Sequence, residues 1–162
     1  MPLIIVSDAS PIRALDHVGL LSLCGDLYGT VIVPEAVRLE LLRPTLTCAA
    51  IDIRNQSGFK VQIPSATPTA LGVPADLDPG ESEAIALAIE LRADLVLMDE
   101  RKATQAARQM GLATIGVIGI LLEAKQRGLV GGVMPVVDQL VTELNFFVSP
   151  ALRLRVAQLA GE

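Results

Sequence analysis

Short apolar runs alternate along this chain with longer stretches whose apolar residues recur at helical spacing. That alternation predicts strands separated by helices. Leu3-Ile4-Ile5-Val6 is apolar, largely β-branched and closed by Ser7-Asp8, as expected of a buried first strand. Ser10-Pro11 predicts a helix start, with Ser as the cap and Pro preorganised for the first turn. Breaks are expected near Gly19 and Gly25. Thr30-Val31-Ile32-Val33 reads as a second strand closed by Pro34, and Val37, Leu39, Leu41 and Leu42 mark a helix over about residues 35–43.

The middle of the chain is less regular. Cys48 to Gln56 is assigned to a helix, Phe59-Lys60-Val61-Gln62-Ile63 alternates as an exposed-edge strand would, and the proline-rich stretch 64–79 reads as a loop. Beyond it the pattern sharpens. Asp78-Pro79-Gly80-Glu81 opens a helix to about Leu91, Asp94-Leu95-Val96-Leu97-Met98 is a strand ending at Asp99-Glu100, and a helix from Arg101 to Met110 stops at Gly111. Ala113-Thr114-Ile115 is a short strand, and helices are predicted near 117–127, 135–144 and 150–160. Strands joined through helices imply parallel crossovers, so the expected architecture is an α/β, three-layer α/β/α sandwich with a mainly parallel sheet. A single domain over 1–162 fits the length.

Composition supports this picture. The chain is 51% hydrophobic but only 2% aromatic, which suits a Val/Leu/Ile/Ala-rich sheet covered on both faces. No apolar run reaches the roughly 18 residues of a membrane span, and the start lacks the basic lead of a signal peptide. Cys24 and Cys48 stand in no metal-binding spacing and are expected to be reduced structural thiols, which together point to a cytoplasmic location. A net charge of −5 argues against a protein that holds nucleic acid chiefly by bulk electrostatics. Arg101, Lys102 and Arg108, like Arg153 and Arg155, read as solvated helix faces.

Candidate chemistry centres on carboxylates. Ligands of open parallel sheets gather outside the carboxyl ends of the strands, and two strands here end directly in acids, Asp8 and Asp99. Glu40, late in a helix, and Glu81, in the first turn of another, can join them. Carboxylates gathered this closely repel unless one takes a proton or a hard cation binds, and all-oxygen ligation suits Mg²⁺ or Mn²⁺. Each acid also has a structural explanation. Asp78-x-x-Glu81 is a capping box, Asp99 could cap the helix beginning at Arg101, Asp8 could cap the turn before Ser10, and Glu40 could face solvent. Glu83, Glu90 and Asp94 are assigned to the surface. Other chemistries lack their residues. The single His17 reads as a surface residue, and there is no glycine-rich phosphate loop and no Gly-x-Ser-x-Gly turn. Gly116 and Gly119, between a strand and a helix, are read as easing close packing.

These stretches together resemble PIN-domain proteins, in particular the short prokaryotic group related to VapC-type toxins. The resemblance rests on Val6-Ser7-Asp8-Ala9-Ser10-Pro11, on Val31-Ile32-Val33-Pro34-Glu35-Ala36-Val37 with Glu40, on Asp78-Pro79-Gly80-Glu81 and on Leu95-Val96-Leu97-Met98-Asp99-Glu100-Arg101. It continues in Gly116-Val117-Ile118-Gly119 with Gly128-Leu129. It implies a metal-dependent ribonuclease cutting RNA with Mg²⁺ or Mn²⁺. The catalytic acids would be Asp8, Glu40, Glu81 and Asp99, with Asp8, Glu81 and Asp99 on the metal and Ser10 and Glu100 in support. It further implies an antitoxin protein as a partner and a homodimer, the latter also suggested by the apolar composition. Three departures stand against activity. Glu81 replaces the family's Asp, Leu97 its threonine, and Lys102 a further acid. They keep open a non-catalytic PIN-like module that binds nucleic acid or protein. A phosphate-handling hydrolase of another α/β family is weaker, since Ser10 stands where its second Asp would be.

Overall fold

The computed structural model describes residues 2–162. Its centre is a five-stranded sheet of β1 (Ile5–Ser7), β2 (Val31–Pro34), β3 (Phe59–Gln62), β4 (Leu95–Leu97) and β5 (Thr114–Ile115). The strands are ordered β3-β2-β1-β4-β5, and every pairing is parallel. The connecting helices are α1 (Ala9–His17), α2 (Leu23–Tyr28), α3 (Glu35–Leu41), α4 (Pro79–Leu91), α5 (Arg101–Gln109) and α6 (Val117–Gln126). The chain ends in α7 (Met134–Leu144) and α8 (Pro150–Ala160).

Strand alternation sorts the core into the two outer layers. Ile5, Val31, Val33 and Leu97 face the side packed by Ile12 and Leu15 of α1, Ile120 and Leu121 of α6, and Val137 and Leu140 of α7. Val6, Val96 and Met98 point the other way, against Ala84, Ile85 and Ala88 of α4 and Ala103 and Ala107 of α5. The small alanines let α4 and α5 lie close to the sheet. This is the α/β/α sandwich expected from the alternation. Among the described residues no helix is long and apolar enough to cross a membrane.

Four local expectations need correction. The segment Cys48 to Gln56 is not a helix; only Ile53–Asn55 forms a single tight turn. Beyond the buried Cys48 at its start, Ile51 and Ile53 are buried two residues apart, a spacing that suits an extended segment, and the Ile51 amide bonds the Leu41 carbonyl at 2.7 Å. Gly25 lies inside α2 rather than breaking it. Ser10 does not cap α1, because the helix begins at Ala9 with Asp8 at the cap position. Glu100, not Asp99, caps α5, its carboxylate accepting from the Ala103 amide at 2.8 Å. All three acids assigned to the surface anchor backbone: Glu83 accepts from the Ala36 amide, Glu90 from the Ser65 and Ala66 amides, and Asp94 from that of Ile4. Both cysteines are free and buried, and His17 bonds Glu143 at 2.9 Å.

Candidate functional site

The strand order reverses at β1. From there the chain winds outward through β2 and β3, then returns to lay β4 against the other side. Crevices open at such switch points because the helices that follow neighbouring strands leave toward opposite faces. Ser7 lies opposite Leu97, and the Asp8 amide bonds the Leu97 carbonyl at 3.0 Å. Asp8, just past β1, and Asp99, just past β4, therefore flank this crevice.

Asp8 sits at the cap position of α1, yet its carboxylate makes no capping bond. It is only 4% exposed. The capping explanation is not met: the carboxylate is buried and meets the helix only through the Ala9 amide. Asp99 is held differently. Both of its oxygens lie 3.2 Å from the Val117 amide, at the start of α6, where backbone donors favour negative charge. Glu81 is 9% exposed in the first turn of α4. The capping box here is half made, since Asp78 accepts from the Glu81 amide at 2.8 Å. That cap orients the helix start, and it leaves the Glu81 carboxyl beside Asp78.

Glycines bring the groups together. A methyl group at Gly80 would sit 2.8 Å from Oε1 of Glu40 and 3.5 Å from Oδ1 of Asp8. One at Gly116 would lie 2.3 Å from Oδ1 of Asp99. The bare backbones of α4 and α6 are thus cradles into which three carboxylates fit. Gly116 makes room for an acid, a sharper role than the close packing expected from sequence.

The electrostatics follow from burial and like charge. Asp8 is pushed up to about 7, first by burial and then by Glu40, Asp78 and Asp99, with the Ala9 amide opposing. Burial raises Asp99 to about 6 against the Val117 hydrogen bond. Glu81 is raised by burial, by its hydrogen bond with Asp78 and by the charges of Asp78, Asp8 and Glu100. Glu40 is raised by burial and Asp78, with Arg13 opposing. Among the described residues, none of these four carboxylates is within ion-pair distance of a Lys or Arg.

The remaining candidates lie at the edge. Ser10, half-buried on α1, lines a neighbouring cavity with Glu40. Glu100 is spent on capping α5 and reaches the group only through its charge on Glu81. Lys102 is exposed and ion-paired to Asp76 at 2.5 Å, while Leu97 is fully buried in the core. Sequence reasoning missed Asp78 as a member of the acidic group, and Gly80 and Gly116 as its cradles. Asp78 was visible as an acid three residues before Glu81, but its capping role hid the second one.

The donors are carboxylates alone, with no thiolate or imidazole, and the glycine cradles leave room beside them. In chemistry the set fits a hard divalent cation. The side chains are not drawn into one shell, however. Among the described residues, no three His, Cys, Asp or Glu side chains stand together as a metal-holding group.

An all-parallel sheet with acids at its switch point defines an α/β/α fold with a carboxylate-lined site. The chain belongs to the PIN-domain family, since a family model described as DUF3368: PIN domain matches residues 4–162. No curated protein matches the sequence.

Proposed function

We propose that the chain is a Mg²⁺- or Mn²⁺-dependent ribonuclease. Asp8, Glu81 and Asp99 would hold the ion, and Glu40 would complete the catalytic group. The observation that carries this reading is the Asp8 carboxylate, 4% exposed, pushed up to about 7 and surrounded by acids instead of cations. Such an arrangement destabilises the fold unless something else needs it. A bound divalent cation would offset the phosphodiester's charge and acidify a water. The protein's own part is to hold the carboxylates apart on three helix starts and one helix end, with Asp99 fixed by the Val117 amide. Ser10 would orient a water or the Glu40 carboxylate from the adjoining cavity, and Glu100 would add charge beside Glu81.

The finer setting belongs to the same proposal: the toxin of a toxin–antitoxin pair, acting as a homodimer in the cytoplasm. Exposed Leu46, Phe147 and Leu154 supply apolar surface that a second copy could cover. A non-catalytic binding module is the second reading. It is favoured by the carboxylates not being gathered into one shell and by Lys102 and Leu97 standing where the family carries an acid and a threonine.

Calorimetric titration with Mn²⁺, run beside an RNA cleavage assay, separates the two. The ribonuclease reading expects binding that vanishes in Asp99→Ala together with metal-dependent cleavage. Absence of Mn²⁺ binding in the parent protein would leave the module.

A further inference from the structure

A cavity of about 310 Å³ opens beside the acidic group, and Glu40 borders both. Its other walls come from three separate parts of the chain: Ser10 and Arg13 on α1, Thr45 and Thr47 in the segment after α3, and Phe146 just beyond α7. A volume of this size lies within the range of clefts that take small ligands or single nucleotides.

The lining divides by chemistry. Arg13 donates from Nη2 to the Glu40 and Arg43 carbonyls, 2.7 Å each, and so closes the end of α3. Its Nη1 is buried with no partner among the described residues, and its charge is shared with the Glu40 carboxylate on the same wall. Thr45 accepts at Oγ1 from the Cys48 amide at 2.9 Å, so its hydroxyl hydrogen stays free to donate. Thr47 is exposed, and its hydroxyl meets only the Cys48 sulfur, at 3.9 Å. Phe146, half-buried and packed on the core, lines the same cavity and supplies an aromatic wall. Hydroxyl and guanidinium groups in one cavity with an aromatic ring are what a sugar-phosphate and its base require. Single-stranded RNA is commonly held this way, by stacking on aromatic side chains and by donors to phosphate and 2′-hydroxyl oxygens.

We propose that this cavity is a nucleotide subsite, seating the nucleotide of a single-stranded RNA that adjoins the phosphate held at the acidic group. The base lies against Phe146, and the sugar-phosphate meets Thr45, Thr47 and the Arg13 wall. The proposal rests on the ribonuclease reading for its substrate. It adds the surface that orients the strand, and it gives the segment between α3 and β3 a function. In an acidic protein, affinity would come from stacking and hydrogen bonds more than from charge.

The test is binding of a labelled random-sequence RNA of about ten nucleotides, a length within the range of single-strand sites, followed by fluorescence anisotropy. An Asp8→Asn background without added metal keeps the strand whole, so that binding reports the cavity itself. Phe146→Ala should weaken binding about tenfold, within the effect of removing one stacked base. Thr47→Val lies on an exposed side chain, does not endanger the fold, and should weaken binding about threefold, as expected for one lost hydrogen bond. Leu159→Ala, exposed on α8, should change nothing. Parental affinity in both cavity variants, or no RNA binding by the parent, overturns the subsite. Binding that falls in both cavity variants, with no cleavage by the unmutated protein, upholds the subsite and removes the nuclease reading alone.

Discussion

Two regions of this molecule treat their acids in opposite ways. In the C-terminal segment, residues 117–162, every carboxylate has a basic partner: Glu123 with Arg127, Asp138 with Arg153, Glu143 with His17 and Glu162 with Lys125. Glu162 also accepts from the Val133 and Met134 amides at the start of α7. At the switch point between β1 and β4, the acids are more buried and have acids for neighbours. Paired carboxylates at the surface are nearly neutral in energy, whereas buried like charges are costly. The contrast separates residues that hold the fold from residues the fold must tolerate.

The largest effect expected from this difference is that of Asp8→Asn. Cleavage and Mn²⁺ binding should fall below detection, while the melting temperature rises, on the order of 5 °C for about 2 kcal/mol of relieved burial and repulsion. Activity equal to the parent's would refute the assignment. A melting temperature that drops would mean the carboxylate serves the fold after all.

Next in size is a pH dependence of stability. Folding raises Asp8 from 3.8 to about 7 and Asp99 from 3.8 to about 6. The folded state therefore retains protons that the unfolded chain has already released. Stability should fall as pH rises from about 4 to about 7, by a few kcal/mol, and go on falling to about 8, where Glu81, also raised, gives up its proton. Urea unfolding at stepped pH without metal measures the slope. Saturating Mn²⁺ should displace the protons and flatten it, and a slope unchanged by Mn²⁺ would break the link between these acids and a cation.

A smaller, more local effect is expected at Gly116, whose backbone is extended and accepts any side chain. Gly116→Ala should move the Asp99 carboxylate and weaken Mn²⁺ binding roughly 10–100-fold, as losses around metal ligands commonly do. Isothermal titration reads this directly, and parental affinity would show that the cradle is not needed. Smallest is Arg153→Ala in the C-terminal segment. Losing the exposed pair with Asp138 should shift stability by less than about 1 kcal/mol by thermal melting and leave Mn²⁺ binding untouched.

Much of the fold was legible because its signals are local. Val6 and Val96 mark strands buried on both faces, and Asp78-Pro79 places the start of α4 at the observed residue. Where signals conflicted, sequence reasoning failed. Cys48 to Gln56 lacks helix breakers, but Ile51 and Ile53 had to enter the core two residues apart, and only the packing against Leu41 shows this. Ser10-Pro11 looks like a helix start, yet the helix begins two residues earlier because β1 ends at Ser7.

The candidate site divides along the same line. By itself the sequence determined which acids follow strands and helix starts, because those positions depend on neighbours a few residues away. Whether Asp8 and Asp99 share one crevice depended on β1 and β4 being adjacent, a long-range pairing set by the whole sheet. Tertiary structure also decided that Asp78 joins the group and that Gly80 and Gly116 make room for it. Charge repulsion and steric fit act through space, between residues whose distance along the chain carries no record of either.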